Sequence, residues 1–175
     1  MPYPQIDDDD RLIVDAARDF ALKRLAPNSL RWDADHHFPV DEMREAAGLG
    51  MAAVYTSEDV GGSGLRRLDG VRIFEELAKG DPVTAAFLSI HNMCTWMVDT
   101  YGTAQQREQW VPGLAAFDTI ASYCLTEPGA GSDAAALSTR ARRDGEHYVL
   151  DGSKQFISGG GVSDLYVVMA RTGGP

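Results

Sequence analysis

The chain has 175 residues, of which 44% are hydrophobic and 24% charged, a mixture that can bury a core and keep a solvated surface, which argues against disorder throughout. Sixteen Lys and Arg stand against 26 Asp and Glu, for a formal charge of -10, so a broad surface tracking phosphates would work against its own field and no nucleic-acid partner is expected. Its longest uncharged runs carry Gly, Pro or polar breaks, and its start, MPYPQIDDDD, is acidic; no membrane association and a cytoplasmic location are expected.

In chain order, Leu12, Ile13, Ala16, Ala17, Phe20, Ala21 and Leu25 share one broad face before Pro27 and predict an amphipathic helix. The acidic run Asp7 to Asp10 lacks the alternating ligands of a calcium loop and reads as solvated helix-start charge. Val40, Met43, Ala46, Ala47 and Leu49 predict a second, shorter helix. The stretch EDVGGSG from Glu58 to Gly64 reads as a loop, after which Leu68, Val71, Phe74 and Ala78 resume helical spacing up to Gly80. Asp81 before Pro82 suits an N-cap, and Val83, Phe87, Ile90, Cys94 and Met97 or Val98 form an apolar stripe. Thr103 caps a last helix expected to stop before Pro112.

From Asp118 the period changes. TIASYCL reads as a strand, Leu137 to Arg143 alternates, Asp144-Gly145 turns into His147 to Leu150, and strands are expected over Ser153 to Ser158 and Leu165 to Arg171. The expected fold is α+β: an all-helical domain over residues 1–117, then an incomplete antiparallel β domain over 118–175. Glycine follows the same division, with nine of the 18 in the last 56 residues. The β region ends at RTGGP directly after the apolar run Leu165 to Ala170, and is expected to need further elements to cover it.

The residues favour some chemistry over other kinds. Cys94 and Cys124 lack metal-ligand spacing, and His36, His37, His91 and His147 form no constellation, so no metal is expected. No GxGxxG or GxxxxGK[ST] follows a strand. The informative stretch is YCLTEPGAGSD, Tyr123 to Asp133, where small residues let backbone N–H groups approach a flat or anionic ligand and Thr126 and Ser132 offer hydroxyls; an ordinary loop whose hydroxyls satisfy its own backbone fits the same residues. KQFISGGG, Lys154 to Gly161, places Phe156 and Ser158 on one side of an expected strand, either as part of a planar cofactor site or as an exposed edge.

Together, YCLTEPGAGSDAA, DGSKQFISGG and YVVMARTGGP resemble the acyl-CoA dehydrogenase family, flavoproteins that oxidise acyl-CoA thioesters to 2,3-enoyl thioesters. LSIHNMCTWM at 88–97 and DTYGTAQQREQW at 99–110 resemble its short branched-chain members, which act in valine degradation. The resemblance covers essentially the whole chain. It implies FAD as cofactor, a short-chain acyl-CoA as substrate, electron-transfer flavoprotein as electron acceptor and a homotetramer at full length. It further implies that Tyr123, Leu125 and Thr126 lie beside the isoalloxazine, with Thr126 bonded to the ring. Gly131 and Ser132 match the turn near the pyrophosphate and the CoA chain, which makes Ser132 a substrate-binding candidate too. Phe156 stands at an aromatic position packing on the flavin, often tryptophan, and Ser158 where relatives often have threonine donating toward N5.

The implied mechanism couples removal of the α proton by a glutamate to transfer of a β hydride to flavin N5. Glu127 lies in the turn and not at the family's base position, which belongs to a later helical domain, so no catalytic base is expected within residues 1–175, and Glu127 is expected to give structural or cofactor-side support. An acyl-CoA oxidase returning electrons to oxygen, a noncatalytic acyl-CoA-binding or interaction module, and a 2-methylbutyryl or straight-chain preference remain alternatives.

Overall fold

A computed structural model describes residues 8–173, with side chains from Arg11 onward. The acidic run Asp7 to Asp10, read as solvated helix-start charge, lies outside the described side chains. The residues gather into two compact units, Met1–Thr119 and Ile120–Pro175.

The first unit is helical. α1 (Asp8–Phe20) buries Val14, Ala17 and Phe20, while Leu12, expected on the same face, is exposed. The helix then widens into a π-turn over Ala21–Leu25, closed by Ala26 N donating to Ala21 O at 2.9 Å. The wider turn keeps Ala21 and Leu25 both buried before Pro27. α2 (Ser29–Asp35) had no sequence signal, because Trp32 is its one buried residue and a single anchor makes no period. α3 (Val40–Gly48) buries Met43, Ala46 and Ala47 as expected. The 58–64 loop contains a single 3-10 turn, Glu58–Val60.

α4 (Arg67–Gly80) packs along α1, and Arg18 reaches across to Glu76 with Nε at 3.2 Å from Oε2 and Nη2 at 3.1 Å from Oε1. At its end Gly80 approaches the π-turn so closely that a Cβ would stand 2.6 Å from Ala21 O; only glycine permits that crossing. α5 (Pro82–Tyr101) starts as predicted, with the Asp81 carboxylate accepting from Thr84 N at 2.8 Å. Its buried face is rotated from the expected stripe: Val83 is exposed, and Leu88, His91, Asn92 and Thr95 join Phe87 and Cys94 inside. α6 (Ala104–Ala115) opens with the reciprocal Thr103–Gln106 capping box and runs through Pro112 instead of stopping before it. Val111 and Leu114, both fully buried, anchor that last turn, and their burial outweighs the amide donor that proline removes.

The second unit is small and mixed. β1 (Ala121–Cys124) pairs in parallel with β4 (Leu165–Val168), Ala121 opposite Leu165 and Cys124 opposite Val168. β2 (Arg140–Asp144) and β3 (His147–Asp151) form an antiparallel hairpin through the Asp144-Gly145 turn, with Gly145 at φ 62°. The helical-then-β class is therefore as expected, but the β region is not a single antiparallel sheet: β2 and β3 pair antiparallel, whereas β1 and β4 pair in parallel. Residues 153–158, expected to be a strand, are irregular. Phe156 has φ 57°, a left-handed conformation that breaks an extended run, so the alternation expected to put Phe156 and Ser158 on one strand face does not apply.

Candidate functional site

The chain leaves β1 at Cys124 and turns back within six residues. Glu127 N donates to Ala130 O at 3.0 Å and Ala130 N to Glu127 O at 3.1 Å, so Pro128 and Gly129 form a tight corner. The Glu127 side chain points inward and is buried. Its Oε2 accepts from Ser138 N at 2.6 Å and Ser138 Oγ at 2.8 Å, and its Oε1 from Thr139 N at 2.9 Å and Lys154 Nζ at 2.8 Å. Lys154, followed by Thr139 and the Ser138 backbone, holds this carboxyl well below the usual carboxylate range.

Those bonds draw the 154–158 segment onto the strand exit. Lys154 Nζ also donates to Leu125 O at 3.0 Å, Gln155 N to Thr126 O at 2.9 Å and Gln155 Nε2 to Glu127 O at 3.2 Å. Three consecutive carbonyls are thus taken by two consecutive residues. Among the described residues, the Leu125 and Thr126 N–H groups and the Thr126 hydroxyl have no hydrogen-bond partner, and all three are donors left for something else. Next along the chain, Phe156 is 85% exposed. Ser158 is exposed, and its carbonyl accepts from the buried Ser122 Oγ at 2.5 Å.

The candidate residues therefore fall into two groups. Leu125, Thr126 and Phe156 are brought together by the Gln155–Thr126 bond, while half-buried Tyr123, on β1 opposite Val167, follows the residue that holds Ser158. Gly131 and Ser132 are exposed beyond the corner, and among the described residues no hydrogen bond links them to 154–158. A Cβ on Gly129 or Gly131 would meet nothing within 4 Å, so that side of the turn is open. Sequence reading singled out neither Lys154 nor Ser122 nor Ser138. A buried Lys–Glu pair 27 residues apart leaves no periodic trace; its one signal was a charge inside each of the two glycine-rich blocks.

Elsewhere the chemistry is structural. His91 is fully buried and donates from Nε2 to Leu114 O at 2.9 Å, and burial lowers its pKa from 6.5 to about 4. Burial pushes the Cys124 thiol up, which keeps it protonated and unreactive. His36 and His37 border a cleft of about 220 Å3 with Trp32, Phe38, Met43 and Asp81. Among the described residues no group of three or more His, Cys, Asp or Glu is placed to hold a metal ion, and no helix is long and apolar enough to cross a membrane. An exposed aromatic beside unspent backbone and hydroxyl donors suits a planar ligand carrying heteroatoms.

Comparison with known proteins bears on the same elements. Residues 7–118 match the acyl-CoA dehydrogenase N-terminal domain and residues 122–175 the acyl-CoA dehydrogenase middle domain. The chain is 53% identical to the mitochondrial isobutyryl-CoA dehydrogenase of Dictyostelium discoideum, over 99% of its own length and 42% of the relative's. With that of Bos taurus it shares 56% identity over 91% of its length and 38% of the relative's. It superposes on a glutaryl-CoA dehydrogenase of Mycobacterium smegmatis solved with FADH2, with TM-score 0.91 and 33% identity, covering 95% of this chain and 43% of that one. The butyryl-CoA dehydrogenase of Megasphaera elsdenii gives TM-score 0.89 and 33% identity over 99% and 46%. The chain thus spans about two-fifths of the length of the curated relatives it matches.

These relatives overturn the cytoplasmic location expected from the acidic start, since both isobutyryl-CoA dehydrogenases are mitochondrial proteins. The charge of ten residues describes that decapeptide and carries no address for the protein. Matched along both units by the family's own domains, and at more than half identity to two of its enzymes, the chain belongs to the acyl-CoA dehydrogenase family.

Proposed function

We propose that the protein carrying this chain is an FAD-dependent acyl-CoA dehydrogenase of short branched thioesters, converting isobutyryl-CoA to methacrylyl-CoA and passing the electrons to electron-transfer flavoprotein, as a homotetramer in valine degradation. The observation that carries this reading is the cluster of unspent donors at Leu125 and Thr126 beside exposed Phe156, in a chain 53–56% identical to isobutyryl-CoA dehydrogenases. The residues present fit FAD. Thr126 and the two backbone N–H groups supply donors for ring heteroatoms, Phe156 supplies an aromatic face, Ser158 a hydroxyl, and the open turn at Gly131 and Ser132 leaves room for a phosphate-bearing chain and for CoA.

When bound, FAD supplies a two-electron acceptor for the hydride leaving the β carbon. This chain's residues bind and orient, with Tyr123, Leu125 and Thr126 at the ring, Ser158 toward N5, and Ser132 shared between cofactor and substrate. The α proton goes to a carboxylate outside these 175 residues. Glu127 is unsuited to that task because four donors, one of them the Lys154 ammonium, already occupy its carboxylate and hold it ionised. One methylene changes pocket energy by roughly 1–3 kcal/mol, so isobutyryl-CoA, butyryl-CoA and 2-methylbutyryl-CoA are the substrates to compare.

Anaerobic titration of the holoprotein tests it. Isobutyryl-CoA is expected to bleach the flavin absorption faster than butyryl-CoA or 2-methylbutyryl-CoA, and the reduced protein to be reoxidised by electron-transfer flavoprotein in preference to oxygen. Binding of all three thioesters without bleaching would overturn the enzyme reading in favour of a noncatalytic module, and fast reoxidation by oxygen would indicate an oxidase.

A further inference from the structure

We propose that Lys154 and Glu127 are a buried positioning pair that presents the Leu125–Thr126 donors and Phe156 to the flavin in a fixed relative geometry. The inference rests on the flavin reading above and concerns residues that make no direct contact with the ring in it. Both side chains are nearly withdrawn from solvent, Lys154 at 11% and Glu127 at 3% exposure. A buried ion pair is costly to form and weak as a source of stability, so its use here calls for geometry as the explanation.

The geometry is unusual in what it connects. One ammonium holds Glu127 Oε1 at 2.8 Å and Leu125 O at 3.0 Å, so it fixes the peptide immediately before Thr126. The neighbouring residue fixes the next two carbonyls, Thr126 O and Glu127 O, through Gln155 N and Nε2. With all three carbonyls committed to 154–155, the Leu125 and Thr126 N–H groups and the Thr126 hydroxyl have no hydrogen-bond partner among the described residues. The same carboxylate gathers Ser138 and Thr139, just before β2, so three chain segments meet at Glu127. Phe156 lies two residues past Lys154 in a left-handed conformation, which an isolated loop would relax. Support of this kind behind contacting groups is what keeps a site within the narrow tolerance that binding and catalysis need.

The test uses the holoprotein, stripped of flavin and reconstituted with FAD. Lys154→Met is expected to raise the FAD dissociation constant by about tenfold and to shift both the long-wavelength flavin band and the reduction potential, with Lys154→Arg recovering part of each. A folded Lys154→Met with wild-type affinity, spectrum and potential overturns the proposal, as does one that only melts earlier, because a merely structural pair would move stability alone. Should Lys154→Met not fold, Ser138→Ala decides: it removes one exposed hydroxyl donor from the same carboxylate and leaves the backbone in place. A smaller change of the same sign in affinity and spectrum supports the pair, and wild-type values overturn it. If the wild-type protein takes up no FAD, the functional reading itself fails; if it does and the variants match it, only the positioning role fails.

Discussion

The Asn92 side-chain carbonyl accepts from Val54 N at 2.7 Å while its amide donates to Met51 O at 2.8 Å. One side chain on α5 thereby stands in for secondary structure along Met51–Val54, four consecutive buried residues that form neither helix nor strand. Buried backbone groups must find partners, and Asn92 supplies one donor and one acceptor where water has no access. Asn92→Ala orphans both groups. It is expected to destabilise the helical unit by about 2–4 kcal/mol, read as a lowered urea midpoint, whereas Asn92→Asp keeps the Val54 bond and buries a charge, and is expected to be at least as damaging.

Acid should act on the two units in separate windows. His91 titrates near 6.5 when unfolded and near 4 when folded, so between those values the unfolded state binds more protons and stability falls as pH is lowered. The loss tends toward about 3 kcal/mol by pH 4 and is present only below 6.5. Glu127 is shifted in the same direction, its carboxyl lowered from 4.5 by the donors around it rather than by burial; its contribution is full above that value and is lost as pH falls further. Denaturation midpoints measured from pH 7 to 3 should show an early loss that His91→Gln abolishes and a later one that Glu127→Gln abolishes. A flat midpoint between pH 6.5 and 4.5 in the parent protein would contradict the first assignment.

How much of this was legible beforehand depends on whether the signal repeats along the chain. α3, α4 and the capped starts of α5 and α6 announced themselves because apolar spacing and the Asp81 and Thr103 caps are local. The blocks around Thr126 and Phe156 stood out as candidate ligand segments through family likeness, whereas their composition fitted an ordinary loop and an exposed edge as well. What joins them did not stand out, because Lys154, Gln155, Ser138 and Glu127 meet through single long-range bonds that have no period. The α5 face was misplaced for a related reason: His91, Asn92 and Thr95 are polar, and only their bonds to Leu114, Met51, Val54 and the α5 backbone make burial tolerable.

Close approach gives a sharper stability test than any contact. At Gly80 an added Cβ would lie 2.6 Å from Ala21 O and 2.9 Å from its carbonyl carbon, and neither is the flexible end of a side chain. Alanine is ordinarily the better helix former by about 1 kcal/mol. Gly80→Ala is nevertheless expected to destabilise by about 1–3 kcal/mol, because the π-turn must shift away from α4. Gly48→Ala, near the end of α3 where a Cβ meets nothing within 4 Å, serves as the control and should be neutral or stabilising.

Phe156 separates stability from function. It is 85% exposed at φ 57°, so its ring contributes almost nothing to the core while its backbone sits in a region that costs a side-chain-bearing residue about 1–3 kcal/mol. Glycine removes that strain and adds unfolded-state entropy of about 0.5–1 kcal/mol, so the two effects largely offset. Phe156→Gly is therefore expected to melt within a few degrees of the parent or slightly above it. If the ring packs on flavin, the same variant should bind FAD several-fold more weakly, since an aromatic face contributes about 0.5–1.5 kcal/mol beyond buried area. Phe156→Trp, which enlarges the aromatic surface, should bind FAD at least as tightly as the parent. A Phe156→Gly protein that melts unchanged and holds FAD unchanged would remove Phe156 from the site; one that loses both together would show that the exposed ring supports the fold after all.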